Sequence, residues 1–220
     1  MKVKLLSYTQ TSPMRYELRD VQRIIAYCAR VSNPNNQHNS ESSDKLLKYL
    51  IKNKHWSPFE MASLVMEIET TRDIARQLLR HRSFSFQEFS QRYADPTDDL
   101  SFEIRQARLQ DNKNRQNSID TDDTVLQSWW DAQQKFIIEN AQRIYKEAID
   151  KGIAKEQARA ILPEGNTKSK LYVNGTIRSW IHYVELRSAN GTQKEHMELA
   201  VEIAKSITKV FPLMENFYNG

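Results

Sequence analysis

"ARQLLRHRSFSFQEFSQRY", residues 75–93, carries four arginines, one histidine and a single acid, Glu88. Serines and aromatic rings fill the gaps between the charges. Upstream of it, Thr71 to Arg82 has the composition of a helix, with Thr70 or Thr71 available as its cap and Asp73 suited to its first turn. "SLVMEIET" before that helix alternates Leu64, Met66 and Ile68 against Val65, Glu67 and Glu69, the pattern of a half-buried strand.

Working outward in both directions extends the same mixed pattern. "KVKLLSY" at residues 2–8 reads as a short strand. Leu18 to Val31 places Val21, Ile24, Ile25, Cys28 and Ala29 on one helical face, and Asp44 to Lys54 does the same with Leu46, Leu47, Leu50 and Ile51. "SNPNNQHNSESS" between them is a polar loop. Downstream, "LSFEIR" (Leu100 to Arg105) suggests a strand, and Gln106 to Thr124 is so rich in Asp, Asn, Gln, Arg and Lys that it reads as a mobile surface excursion. Val125 to Lys151 is the longest helical pattern, with Trp129, Phe136, Ile137, Ile144, Tyr145 and Ala148 expected inward and Gly152 as its stop. Short helices are expected over Glu156 to Leu162 and Thr176 to Leu186, and Thr192 with Glu195 has the spacing of a capping box for a helix to about Val210. With no internal repeat and no dividing linker, the expectation is one α+β domain over residues 1–220, mostly helical, with a small antiparallel or mixed sheet.

Composition sets limits on function. Apolar residues make up 39% of the chain and charged residues 27%, as in a soluble globular protein. The net charge is only +4, so positive charge matters here where it is concentrated. No apolar run approaches the roughly 18 residues of a membrane span, and the start has too short an apolar stretch for a secretory signal. Cys28 is the only cysteine, which excludes an internal disulfide and any multi-cysteine zinc site and points to a reducing, cytoplasmic compartment. The five histidines show no HExxH spacing, so no catalytic metal is expected.

The cationic stretch allows three readings. Arginines at a helix end compensate its dipole or form a solvated face. Phe84, Phe86, Phe89 and Tyr93 interleaved with the charges of residues 76–93 could instead stack the bases of a single-stranded nucleic acid. The third reading is a dense site for one phosphate-bearing small molecule: guanidinium forks beside short hydroxyls suit a phosphate, and the modest total charge favours a mononucleotide or nucleotide cofactor over a long polyanion.

Residues 80–93, "RHRSFSFQEFSQRY", resemble the signature of flavin-dependent thymidylate synthases: Arg-His-Arg, two residues, Ser, four residues, Ser, one residue, Arg. Arg80, His81, Arg82, Ser85, Ser90 and Arg92 match in register, with Gln87 in place of an asparagine. "HWSPFE" upstream and "ARAILP" and "IRSWIHYVELR" downstream resemble further segments of that family, while Asp95 to Thr124 matches nothing in it. The resemblance implies the family's own fold and a homotetramer with active sites shared between subunits. It implies reductive methylation of deoxyuridylate (dUMP) to thymidylate, with 5,10-methylenetetrahydrofolate as carbon donor, reduced FAD as hydride carrier and NADPH as reductant.

The same resemblance implies roles. Arg80, His81 and Arg82 would bind FAD, assisted by Ser57 and Glu88. Thr176 (in place of an asparagine), Ile177, Arg178 and His182 would be further flavin contacts, and His55 would lie near flavin and folate. Gln77, Leu78, Leu79 and Arg80, with Glu88, Phe89, Ser90, Gln91 and Arg92, would border dUMP, joined by Arg159. Arg187 would activate the uracil ring, its fixed charge favouring the anionic form. Ser90 reads as a phosphate donor, not a nucleophile, and Cys28, on an apolar helical face, as a core residue.

Overall fold

The computed structural model describes residues 1–12 and 18–218. In chain order the elements are β1 (Lys2–Tyr8), α1 (Val21–Ala29), α2 (Ser43–Lys52), β2 (Ser63–Thr71), α3 (Arg72–Leu78), β3 (Ser85–Glu88), α4 (Pro96–Asp99), β4 (Arg108–Gln110), β5 (Ser118–Asp120), α5 (Thr124–Asp150), α6 (Lys155–Ala158), β6 (Lys168–Thr176), α7 (Ile177–Arg187) and α8 (Lys194–Thr208). Four strands form one antiparallel sheet in the order β1-β2-β6-β3. The architecture is therefore α+β, and the sheet is antiparallel, not mixed.

Alternation along β2 buries Leu64, Met66 and Ile68, as their spacing requires. From β6, Leu171 and Val173 join them on the same face. Helices α1, α7 and α8 supply Ile25 and Ala26, Trp180, Ile181 and Val184, and Leu199, Ala200, Ile203, Ala204 and Ile207 to this core. Each fully buried leucine or isoleucine contributes about 1.5–3 kcal/mol. The opposite face is polar: Glu69 pairs with Lys2 (3.5 Å) and Lys170 (3.1 Å), and Glu67 with Lys4 (3.1 Å).

Several expectations are corrected. Strand β6 was not anticipated, because its inward positions include Ser169 and Gly175, which carry no strand signal. Leu100 to Arg105 is not a strand; only Phe102 forms a bridge, to Thr167. The polar excursion contains the β4–β5 hairpin, which is tied down: Lys194 Nζ donates to Asp120 (2.7 Å), and Asn117 Nδ2 to Asn190 Oδ1 (3.1 Å). The capping box does not form. Gln193 takes the cap position, Thr192 Oγ1 bonds Leu186 O at 3.4 Å, and Glu195 is engaged by Arg108. Thr71 occupies the cap position of α3 but donates its hydroxyl to Asp73 Oδ1 (2.6 Å). Cys28 is half-buried rather than fully core.

Helix α5 meets the expectation only in part, at Tyr145 and Ala148. Ile138, Ala141, Tyr145 and Gln134 face inward, and Ala148 is half-buried. Trp129, Phe136, Ile137 and Ile144 remain 56%, 61%, 52% and 42% exposed, so a large apolar stripe of this helix finds no partner among the described residues.

Candidate active site

The cationic stretch begins where α3 runs out. Leu78 is fully buried and ends the helix, four residues short of Arg82. Arg80 N donates to Gln77 O (3.3 Å) and His81 N to Leu78 O (3.0 Å), closing the chain into a tight turn. Phe84 then drives into the core, its ring 4.4 Å from that of Trp180. A Cβ on Gly175 would sit 2.3 Å from the Phe84 ring, so only glycine permits this approach. Ser179 Oγ donates to Ser83 O (3.2 Å). The turn is thus pinned onto α7, leaving Arg80 and Arg82 exposed and, among the described residues, without an ion pair.

His81 meets Arg187 on the last turn of α7: Arg187 Nε donates to His81 Nε2 (3.0 Å). Because a guanidinium only donates, His81 Nε2 must be unprotonated, with its hydrogen on Nδ1. Burial, then the Arg187 charge, push the His81 pKa down to about 4. The Tyr183 ring packs edge-on to His81 at 4.9 Å. Arg187 itself faces no carboxylate among the described residues.

A second group surrounds Glu88 at the end of β3. Ser169 Oγ donates to Glu88 Oε1 (2.8 Å), Arg76 donates to both carboxylate oxygens, and Arg72 lies 3.9 Å away. Ser90 Oγ accepts from Arg92 N (3.4 Å). Glu156 brings Arg92 and Arg159 together: Arg92 Nε donates to its carboxylate (3.2 Å) and Arg159 Nε to its carbonyl (3.3 Å). Among the described residues no hydrogen bond or ion pair joins Arg92 or Arg159 to the His81–Arg187 pair.

The "HWSPFE" segment reaches the first group through α7. Helix α2 ends with Lys54 at φ +57°, and His55 N bonds back to Leu50 O (2.9 Å), a Schellman-type cap without the usual glycine. This turn aims Trp56 at His182, with ring centroids 4.8 Å apart, and leaves His55 and Ser57 exposed. Glu60 pairs with Arg178. Burial and the Arg178 charge lower the His182 pKa. Thr176 Oγ1 accepts from Ser179 N (3.2 Å) and caps α7.

Not every expected residue offers a side chain. Leu78 and Ile177 point into the core, leaving only backbone for a ligand, and Gln91 is buried with its Nε2 unpartnered among the described residues. Gln77, Leu79 and Phe89 are half-buried. Sequence reasoning missed Ser169, Arg72 and Arg76, which hold Glu88, as well as Glu156 and the buried Tyr183 and His196. It also overestimated the aromatic platform: Phe84 is core, Phe86 and Phe89 are half-buried, and only Tyr93 is widely exposed. Among the described residues no three metal-ligating side chains converge. The Cys28 thiol has its pKa raised by burial and touches none of these groups through any hydrogen bond or ring contact.

Comparison with known proteins places this arrangement. The family model described as thymidylate synthase complementing protein matches residues 5–213. The chain is 50% identical over 212 residues to the probable flavin-dependent thymidylate synthase of Paramecium bursaria Chlorella virus 1, covering 96% of each. It is 51% identical over 189 residues to the flavin-dependent thymidylate synthase of Synechocystis sp., covering 86% of this chain and 85% of that one. Among solved structures, the UMP/dUMP methylase PolB from Streptomyces cacaoi bound with 5-Br UMP superposes with a TM-score of 0.80 at 25% identity, over 98% of this chain and 92% of the other.

Proposed function

The chain belongs to the family of flavin-dependent thymidylate synthases, and on that premise we propose that it methylates dUMP reductively to thymidylate, with 5,10-methylenetetrahydrofolate as carbon donor, FAD as hydride carrier and NADPH as reductant. The observation that carries the reading is the Arg187–His81 pair: a guanidinium oriented by a neutral histidine, beside a turn that presents Arg80 and Arg82, none of the three arginines having an acid partner among the described residues.

These residues fit a flavin dinucleotide by their chemistry. A pyrophosphate needs charge-assisted donors that no protein carboxylate already occupies, and Arg80 and Arg82 supply them. Arg178, His182, Thr176, Ser57 and His55 complete the candidate cofactor set, with His81 at its inner edge. When bound, FAD supplies the hydride chemistry that no side chain of the protein can.

The protein's own residues prepare the pyrimidine. Arg187 favours the anionic form of the uracil ring by a fixed charge, and His81 holds its Nε, which leaves the Nη donors for the ligand. Glu88, oriented by Arg76, Arg72 and Ser169, is a fixed acceptor for an N–H or O–H of dUMP. Arg92, Arg159 and Ser90 receive the phosphate, with Glu156 yielding Arg92 Nε to it. No thiol takes part, since Cys28 lies apart on α1 with its thiolate disfavoured.

The reading extends to assembly and location. The exposed stripe of Trp129, Phe136, Ile137 and Ile144 is covered by further copies of the chain in a homotetramer, in which the His81–Arg187 group of one subunit faces the Arg92–Arg159 group of another. A lone unoxidised cysteine suits the cytoplasm. The test is purification with a visible flavin spectrum, then thymidylate formation with each of FAD, NADPH, folate donor and dUMP omitted in turn. Colourless protein that makes no thymidylate with everything supplied would contradict the proposal.

A further inference from the structure

A directed chain of hydrogen bonds runs beneath Gln77. Tyr183 Oη lies 3.1 Å from His196 Nε2, and His196 Nδ1 lies 3.1 Å from Gln77 Oε1. Gln77 Nε2 donates to Gln193 Oε1 (2.7 Å), Gln193 Nε2 donates to Glu195 Oε2 (3.0 Å), and Arg108 Nη2 donates to the other oxygen of Glu195.

The Glu195 end of the chain fixes its polarity. The carboxylate of Glu195 accepts only, so the Gln193 amide turns its nitrogen there and its oxygen to Gln77. At the other end, Gln77 Oε1 accepts from His196 Nδ1, and Nε2 of the neutral ring accepts from the Tyr183 hydroxyl. Burial, and then the charge of Arg187, keep the His196 ring neutral. The inward stripe of α8 is otherwise Leu199, Ala200, Ile203, Ala204, Ser206 and Ile207, where a fully buried imidazole is costly unless both nitrogens are bonded. This one spends Nδ1 on a half-buried side chain at the candidate site.

We infer that His196 is a positioning residue for dUMP: through Gln77 it locks one orientation of the side-chain amide, so that the nucleotide meets a fixed N–H donor, and through Gln193 and Glu195 it couples the β4–β5 hairpin to the nucleotide site. The inference rests on the thymidylate synthase reading, which puts Gln77 beside dUMP. It gives the polar excursion a function: Arg108 anchors the far end of the chain.

The test is a double-mutant cycle on dUMP affinity, measured by calorimetry on the flavin-loaded enzyme without folate. His196→Leu should weaken dUMP about tenfold, the loss of one oriented hydrogen bond, with flavin content unchanged. His196→Gln, which keeps a donor and an acceptor, should recover most of that. On a Gln77→Met background His196→Leu should cost nothing more, because its route to the nucleotide is gone. Additive losses, or wild-type affinity in His196→Leu, would overturn the inference. Should His196→Leu not fold, Glu195→Gln serves: its amide releases the polarity constraint, and dUMP should weaken about threefold, whereas unchanged affinity would refute the coupling. Wild-type enzyme that binds no dUMP would overturn the thymidylate synthase reading along with this one, whereas normal wild-type binding with additive losses overturns the relay alone.

Discussion

Replacing Arg187 by lysine separates charge from geometry at the reacting ring. Arg187 spends Nε on His81 and leaves its Nη groups to the ligand, with no carboxylate among the described residues to dilute its field. A full charge about 4 Å from a developing oxyanion, at an effective dielectric of about 20, is worth about 4 kcal/mol. Lysine ends short of that point. With the charge withdrawn to about 6 Å, the same expression gives about 2.8 kcal/mol, a loss near 1.2. Losing the second donor of the planar fork removes about 1.5 kcal/mol more. The sum corresponds to a hundredfold slower chemical step. dUMP should still bind, because Arg92, Arg159 and Ser90 hold its phosphate. The assay is thymidylate formation at saturating substrates, with dUMP affinity measured separately by calorimetry. Collapsed dUMP affinity with an unchanged saturated rate would refute the argument and make Arg187 a binding residue.

Arg82→Ala should give folded protein with a several-fold lower flavin content after gel filtration, since one uncompensated donor is lost; an unchanged content would return Arg82 to the solvated surface. Phe136→Glu should shift the mass seen by light scattering from tetramer to smaller species while leaving helix content intact, because Phe136 is 61% exposed within the chain; an unaltered mass would place the interface elsewhere. Stability should fall on mild acidification: folded His81 and His196 titrate at about 4 and about 3 against an ordinary 6.5, so the unfolded chain binds the extra protons. The associated stability is complete above pH 6.5 and drains as pH falls toward 4 for His81 and toward 3 for His196, with a slope of up to about 1.4 kcal/mol per pH unit for each histidine. His196→Gln should flatten that slope by one proton in urea titrations.

How far the sequence carried depended on range. The β2 alternation and the helical faces of α1 and α2 are local patterns, and they hold in the structure. Strand β6 was hidden because Lys168, Ser169, Asn174 and Gly175 obey pairing demands set by β2 and β3, not their own propensities. On α5 Tyr145 is inward as expected but Trp129, Phe136, Ile137 and Ile144 are not, because hydrophobicity says that a residue seeks cover, not which surface provides it. The cationic signature was legible as a motif. Its supports were not: Ser169 reaches Glu88 across 81 residues and His196 reaches Gln77 across 119, distances over which no spacing rule operates.

The central claim is that this chain makes thymidylate by flavin chemistry with no protein nucleophile, and Cys28→Ala tests it most directly. Cys28 is the only thiol in the sequence and sits half-buried on α1, so its removal costs a small cavity and nothing in the chemistry. With FAD, NADPH, 5,10-methylenetetrahydrofolate and dUMP, the variant should form thymidylate at the wild-type rate. A folded, flavin-bearing Cys28→Ala protein that forms none, beside an active wild type, would contradict the account.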